Sequence, residues 1–126
     1  MNKMYLLFSH KLTNEQIDDA NTNLKVYDFV SLPETLQTLW SNIPPELENL
    51  DNYLSSLKNY IRLAAKSGDY ILIQGDFGAV YEMVTFSKNL GLIPIYATTK
   101  REVVEEKQGD KIVKKSIFKH IRFRKY

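Results

Sequence analysis

Four short apolar runs, separated by segments with helical spacing, constrain the fold of this 126-residue chain more than any other feature. Each run ends abruptly at polar residues, which is typical of strands buried on both faces of a parallel sheet. The runs occupy residues 4–8, 26–30, 70–74 and 92–97. This alternation of strands and helices predicts a single α/β domain over residues 1–126, with a Rossmann-like, mostly parallel sheet flanked by helices.

The segments between the runs carry helix start signals. Thr13 and Gln16 have the spacing of a capping box, and Pro33 is suited to the first turn of a second helix. Apolar residues recur with a period near 3.6 over residues 47–61, which predicts a third helix, and residues 79–90 are expected to form a fourth.

The pattern changes from residue 100 onward. Residues 102–106 and 112–124 are β-rich and flank a Gln-Gly-Asp turn at 108–110, so residues 100–126 are expected to form an antiparallel hairpin. Residues 1–99 carry 7 basic and 11 acidic side chains, a net charge of −4, whereas residues 100–126 carry 10 basic and 4 acidic ones, a net charge of +6. The basic hairpin suits either a polyanionic partner or a solubilising sheet edge.

Composition excludes several classes of site. The chain has no cysteine, so it has neither disulfides nor thiolate chemistry. No apolar run is long enough for a secretion signal or a membrane span, and we expect a soluble, cytoplasmic protein. Metal-ligand spacings and a nucleophile elbow are both missing, so neither a metal site nor a cofactor is expected.

Polar residues follow each predicted strand, and parallel strands would bring them to one rim of the sheet, where ligands bind in such folds. These residues are Ser9, His10 and Lys11 after the first strand, Ser31 after the second, Gln74, Gly75, Asp76, Phe77 and Gly78 after the third, and Thr98, Thr99, Lys100 and Arg101 after the fourth.

Each part of this rim has two interpretations. The glycine-flanked turn at 75–78 can offer backbone N–H groups to a phosphate, or it is a tight turn with Asp76 capping a helix. Lys100 and Arg101 can hold a phosphate, or they lie in a solvated loop. His10 can transfer protons or cap local backbone.

Two other side chains are expected to be structural rather than catalytic. Trp40 shares a helical face with Leu36 and Leu39, which is more typical of the core than of a base-stacking platform. His120 lies between Lys119 and Ile121 in the predicted terminal strand and is expected to be structural or solvent-facing.

Four segments together carry a resemblance to a known family. They are Tyr-Leu-Leu-Phe-Ser-His at 5–10, Leu-Trp-Ser-Asn-Ile-Pro-Pro at 39–45, Gln-Gly-Asp-Phe-Gly at 74–78 and Pro-Ile-Tyr-Ala-Thr-Thr-Lys-Arg at 94–101. With them the chain resembles a small stand-alone CRISPR-associated protein of type III systems, related to the CARF-fold ring nucleases. The resemblance implies a CARF-like homodimer that binds cyclic tetra-adenylate across its two-fold axis. It also implies metal-independent cleavage of that ring by a ribose 2′-hydroxyl, which ends antiviral signalling.

That reaction needs in-line positioning and stabilisation of phosphoryl charge, and the predicted rim supplies candidates for both. The candidate roles are phosphate binding for Lys100, Arg101 and the amides of residues 75–78, orientation for Ser9, Thr98 and Thr99, proton transfer for His10 or Asp76, and adenine or ribose contact for Gln74 and Phe77.

Three other functions stay open at this point. The protein could bind the cyclic oligoadenylate without cleaving it, or use its basic hairpin as a nucleic-acid-binding accessory protein. It could also be an unrelated nucleotide or sugar-phosphate enzyme, since a fold does not fix function. The ring-nuclease interpretation expects neither a membrane nor a long nucleic acid as partner.

Overall fold

A five-stranded sheet with the order β2-β1-β3-β4-β5 organises the computed structural model, which describes residues 1–126. The strands are β1 (Lys3–Leu7), β2 (Asp28–Ser31), β3 (Tyr70–Ile73), β4 (Ile93–Gln108) and β5 (Lys111–Lys125). The helices are α1 (Asn14–Asp19), continued by a π-helical turn at Ala20–Leu24, α2 (Glu34–Ser41), α3 (Ser55–Ala64) and α4 (Phe77–Asn89). Strands β1 to β4 run parallel and β5 pairs antiparallel with β4, which confirms the predicted α/β fold.

The apolar runs form the four parallel strands, and helices cover both faces of this part of the sheet. On one face Leu7 and Ile73 pack with Trp40, Leu57 and other residues of α2, α3 and α4. On the other, a smaller cluster around Met4, Leu72 and Ile95 includes Ala20, Val26 and Phe123. Continuous rather than alternating hydrophobicity is the expected pattern for strands covered in this way. None of the helices has the length and apolar content needed to cross a bilayer.

The third helix is shorter than predicted. It begins at Ser55, whereas residues 45–54 form turns. Leu50 and Leu54 still pack into the core, and the Leu54 N–H donates to the Leu50 carbonyl at 2.9 Å, so their helical spacing reflects a single helical turn just before α3. The prolines before this segment and its Asn and Asp residues favour turns over a continuous helix.

The hairpin is longer than predicted. Strand β4 continues without a break to Gln108, so Thr98, Thr99, Lys100 and Arg101 are strand residues and not a loop, which corrects the sequence-based prediction. The predicted turn is confirmed: Gln108 pairs with Lys111, and Gly109 adopts a positive φ of 62° in the two-residue loop.

A buried side-chain hydrogen bond joins the base of this hairpin to α1. The Nε2 atom of His120 lies 2.7 Å from Oδ2 of Asp19, and both side chains are largely buried. Asn23 donates a second hydrogen bond to Asp19 at 2.6 Å. Burial alone would raise the pKa of Asp19, but these hydrogen bonds outweigh it, so the pKa lies below its ordinary value. His120 is therefore a structural residue.

We expect Asp19→Asn to lower the free energy of unfolding at neutral pH by about 1–3 kcal/mol. Because the carboxyl pKa is lower in the folded protein, the ionised carboxylate stabilises the fold at pH values above the unfolded-state pKa of about 3.9. That contribution disappears as the pH falls through the folded-state pKa. The difference between wild type and variant, measured by urea unfolding at a series of pH values, should therefore shrink below about pH 4. Asp18→Asn, at an exposed neighbouring aspartate, is the matched control; an equal loss there would contradict this interpretation.

Candidate functional site

The strand order defines where a ligand site is expected. Strand β1 connects to β2 on one side, and the chain then crosses to place β3 on the other side of β1. In doubly wound sheets with this order, ligands bind beyond the carboxyl ends of the strands near that change of direction. A ligand site is therefore expected at the loops after β1 and β3.

A cavity of about 680 Å³ opens at the carboxyl ends of β1 and β2. Its apolar floor is formed by Leu6, Phe8, Leu12, Ile17, Phe29 and Leu32. Its polar walls are formed by Ser9, His10, Lys11, Ser31, Glu34, Gln37, Thr38 and Ser41. An apolar floor with a few polar groups around it, in a volume of about 300–1,000 Å³, is typical of small-molecule sites. We call this the β1–β2 cavity.

One wall of the β1–β2 cavity is a polar face of α2. Glu34, Gln37, Thr38 and Ser41 are spaced so that they fall on the same side of the helix. These residues were not among the predicted site residues, because the apolar face that carries Trp40 dominates the pattern of this helix. The polar spacing on the opposite face was the signal that could have found them.

The loop after β1 is tied to this wall. The Ser9 hydroxyl lies 3.0 Å from the Ser41 hydroxyl, and the Gln37 side chain donates to the Phe8 carbonyl at 3.0 Å. His10 is exposed, and its ring meets the Phe8 ring edge-on at 5.4 Å between centroids. These contacts fix the backbone that presents His10 and leave its imidazole open to the cavity.

The turn after β3 is built by side chains that complete the sheet. Oε1 of Gln74 accepts the Ala97 N–H at 2.8 Å, where a backbone carbonyl would accept it if β3 continued. The Gln74 carbonyl accepts the Trp40 indole N–H at 3.0 Å, and a Cβ on Gly75 would lie 3.2 Å from that nitrogen. A side chain at residue 75 would therefore crowd the buried Trp40 ring, which would have to shift by a few tenths of an ångström.

Asp76 and its neighbours begin α4. Oδ2 of Asp76 accepts the Ala79 N–H at 3.0 Å, so its carboxylate is the N-cap of the helix. Phe77 follows with a side chain that is 95% exposed. Asp76 and Gly78 face a separate depression beside residues 43–50, and not the β1–β2 cavity.

The four predicted rim residues of β4 are also separate from the β1–β2 cavity. Both polar contacts of the Thr98 hydroxyl are to the backbone of Arg122, at 3.0 and 3.2 Å. The Arg101 guanidinium donates to the Ser116 hydroxyl, and Thr99 lines a small depression beside His120. Lys100 is exposed and lies beyond the rim.

A cation that the sequence analysis missed lies at the level of the rim. Arg124 pairs with Tyr96, and its guanidinium lies 4.9 Å from the centre of the Tyr96 ring. The adjacent Tyr126 donates its hydroxyl to the Ile73 carbonyl, at the last residue of β3. Burial, and to a smaller extent Tyr96, raises the pKa of Tyr126 above its ordinary value, so it is a neutral donor here. Only the antiparallel register of β5 places these C-terminal residues beside β3.

The structure therefore brings together part of the predicted set. Ser9, His10, Lys11 and Ser31 share the β1–β2 cavity. Gln74, Gly75, Asp76, Phe77 and Gly78 form the next turn along the rim, where Gln74 and Asp76 hold the backbone. Thr98, Thr99, Lys100 and Arg101 follow on β4.

Comparison with known proteins shows the family. The chain is 56% identical over 126 residues to the "Uncharacterized protein MJ1673" of Methanocaldococcus jannaschii, an alignment that covers all of this chain and 98% of that protein. No solved structure matches the chain. The family model described as "Uncharacterized protein MJ1673 family" matches residues 2–124. On both grounds, the chain is a member of the MJ1673 family.

Proposed function

We propose that this protein binds a cyclic oligoadenylate, with cyclic tetra-adenylate the preferred candidate, and cleaves it as a metal-independent ring nuclease of type III CRISPR defence. The observation that carries the proposal is the β1–β2 cavity, where His10, Lys11 and several hydroxyl groups lie above an apolar floor. The apolar floor suits an adenine ring, and the polar wall suits ribose and phosphate.

The reaction follows from what these side chains can do. The ribose 2′-oxygen attacks the adjacent phosphorus, a P–O2′ bond forms, and the bond from phosphorus to the 5′-oxygen breaks. His10 is the candidate for taking the 2′-hydroxyl proton, and the departing 5′-oxygen must also gain a proton. The products are linear, with a 2′,3′-cyclic phosphate at one end and a 5′-hydroxyl at the other.

We assign the stabilisation of negative charge on the phosphoryl oxygens to the cations of the rim. Lys11 lies in the cavity wall and Arg124 lies at the same level of the sheet, three strands away. Lys100 and Arg101 lie farther along β4 and stay candidates for outer phosphates of the ring. A two-fold symmetric homodimer would present two copies of each group to a cyclic ligand.

The test is incubation of the pure protein in EDTA with excess cyclic tetra-adenylate, with products resolved by chromatography and linear tetra-adenylate as the control substrate. Conversion of many equivalents to linear products with a cyclic phosphate end is expected. An intact ring that co-elutes with the protein would show that the protein binds the ring without cleaving it, and the nuclease activity would be refuted. If the ring is neither bound nor cleaved, the proposed function is wrong.

A further inference from the structure

The distal part of the hairpin projects beyond the rest of the sheet. Beyond Ala97, β4 is paired with β5 alone, and the pairing continues to Lys111 at the turn. Residues 100–119, which we call the arm, are exposed throughout except for the half-buried Val113. An isolated two-stranded ribbon is only marginally stable in water, so an arm of this length is expected to gain stability from a partner.

Apolar side chains on the arm support this expectation. Phe118 is 68% exposed, Ile112 is 66% exposed and Val103 is 58% exposed, with Val104 and Ile117 also open to solvent. Large apolar side chains concentrated on one projecting element are typical of an interaction surface.

The charge of the arm indicates what kind of partner it has. It carries 7 basic and 4 acidic residues, a net charge of +3. Lys115 and Glu106 form an ion pair at 2.8 Å, whereas Lys111, Lys114 and Lys119 have no ion-pair partner. A partner surface that is both apolar and acidic would complement the arm.

The rest of the same chain has such a surface. A groove of about 430 Å³ lies between residues 43–50 and the start of α4, lined by apolar residues such as Pro45, Leu47 and Tyr81 and by Glu48. Glu46 and Asp51 lie beside it, and neither they nor Glu48 has an ion-pair partner. We call this the acidic groove. No arm residue lines it in its own chain.

We propose that the arm of one copy packs into the acidic groove of a second copy, and that the exchange is reciprocal. A ribbon face about 30 Å long and 10 Å wide covers about 300 Å². Because each contact buries about this area on both partners, two contacts bury about 1,200 Å² in total, the lower end of the range for stable interfaces. A two-fold axis makes both contacts identical and closes the assembly as a dimer.

Two observations favour a second copy over a nucleic acid as the occupant. Phosphates would leave the apolar side chains of the arm uncovered, whereas the acidic groove offers Leu47 and Tyr81 to them. The net charge of −4 over residues 1–99 also repels a long polyanion, but attracts an arm of opposite charge. The proposal concerns assembly and holds whether or not the ring is cleaved.

Charge reversal tests the pairing directly, with molecular mass in solution measured by light scattering. The wild type is expected at twice its 14.7 kDa chain mass. An arm variant (Lys107→Glu with Lys114→Glu, on the ribbon face that carries Val103, Ile112 and Phe118) and a groove variant (Glu46→Lys with Glu48→Lys) should each weaken the dimer at least tenfold. The combined variant, with all four reversals, should recover it because the complementary charges again face each other.

Lys88→Glu, at an exposed position outside both surfaces, is the matched control and should leave the mass unchanged. Circular dichroism confirms that every variant is folded. A wild-type monomer, or a combined variant that stays monomeric, would overturn the proposal. So would an arm variant that keeps its dimer mass but loses binding to duplex RNA, since the arm would then be a nucleic-acid surface.

Discussion

Replacing His10 with alanine is expected to slow cleavage of cyclic tetra-adenylate by about 100- to 10,000-fold, the usual contribution of a positioned proton-transfer group. The imidazole is exposed in the wall of the β1–β2 cavity, on a loop held by Gln37 at the Phe8 carbonyl and by Ser41 at the Ser9 hydroxyl. Its removal should therefore leave the fold intact and change ring affinity only slightly. Single-turnover cleavage and equilibrium binding, measured on the same preparation, separate these two effects.

Asp76→Asn is the matched control for this prediction. Asparagine is as good an N-cap as aspartate, so the start of α4 is preserved while the carboxylate is removed. If His10 transfers the proton, this variant keeps its cleavage rate. A large loss of rate in Asp76→Asn, with His10→Ala unaffected, would move proton transfer to the carboxylate and refute the role of His10.

Trp40→Ala is expected to lower the free energy of unfolding by about 3–5 kcal/mol, because a large buried side chain is replaced by a cavity. For a domain of this size the melting temperature should fall by about 10–20 °C. Trp40 is 2% exposed, belongs to the larger core cluster and donates to the Gln74 carbonyl. Its loss should therefore loosen the turn after β3 as well as the core.

Two further variants separate the effects at Trp40. Trp40→Phe keeps most of the apolar volume but leaves the Gln74 carbonyl without its donor, and should cost about 1–3 kcal/mol. Tyr27→Ala, at an aromatic side chain that is exposed, should change the melting temperature little. Equal melting temperatures for Trp40→Ala and wild type would show that the indole does not support the core.

The fold could be predicted from the sequence because the four apolar runs are short, continuous and separated by helix signals. Hydrophobic periodicity alone could not place the start of α3. Leu50 and Leu54 have helical spacing and reach the core, although residues 45–54 form turns. Polar composition likewise suggested a loop at Thr98–Arg101, but pairing with β5 extends the strand through it.

The candidate site was less predictable than the fold. Ser9 and His10, which the strand-end rule singled out, line a cavity, but the rule could not show that Asp76, Gly78 and Thr99 line other depressions. The burial of the His120 side chain could not be predicted from the sequence for a different reason. A bulge opposite Thr98 and Thr99 leaves Ile121 unpaired and breaks the two-residue alternation that a strand prediction assumes.

The position of β1 between β2 and β3 also has a consequence for how the chain folds. Strand β1 is close to β2 in the sequence but far from β3. The hydrogen bond from the Lys3 N–H to the Asp69 side chain, just before β3, joins residues that are 66 positions apart. Closing so long a loop is slow compared with forming the β4–β5 hairpin, whose strands are joined by a two-residue turn. During synthesis, β1 is made before β3, and it stays without this neighbour while the residues between the two strands are added. Until then β1 and β2 present an unprotected apolar edge, which is where misassembly of a nascent chain would begin.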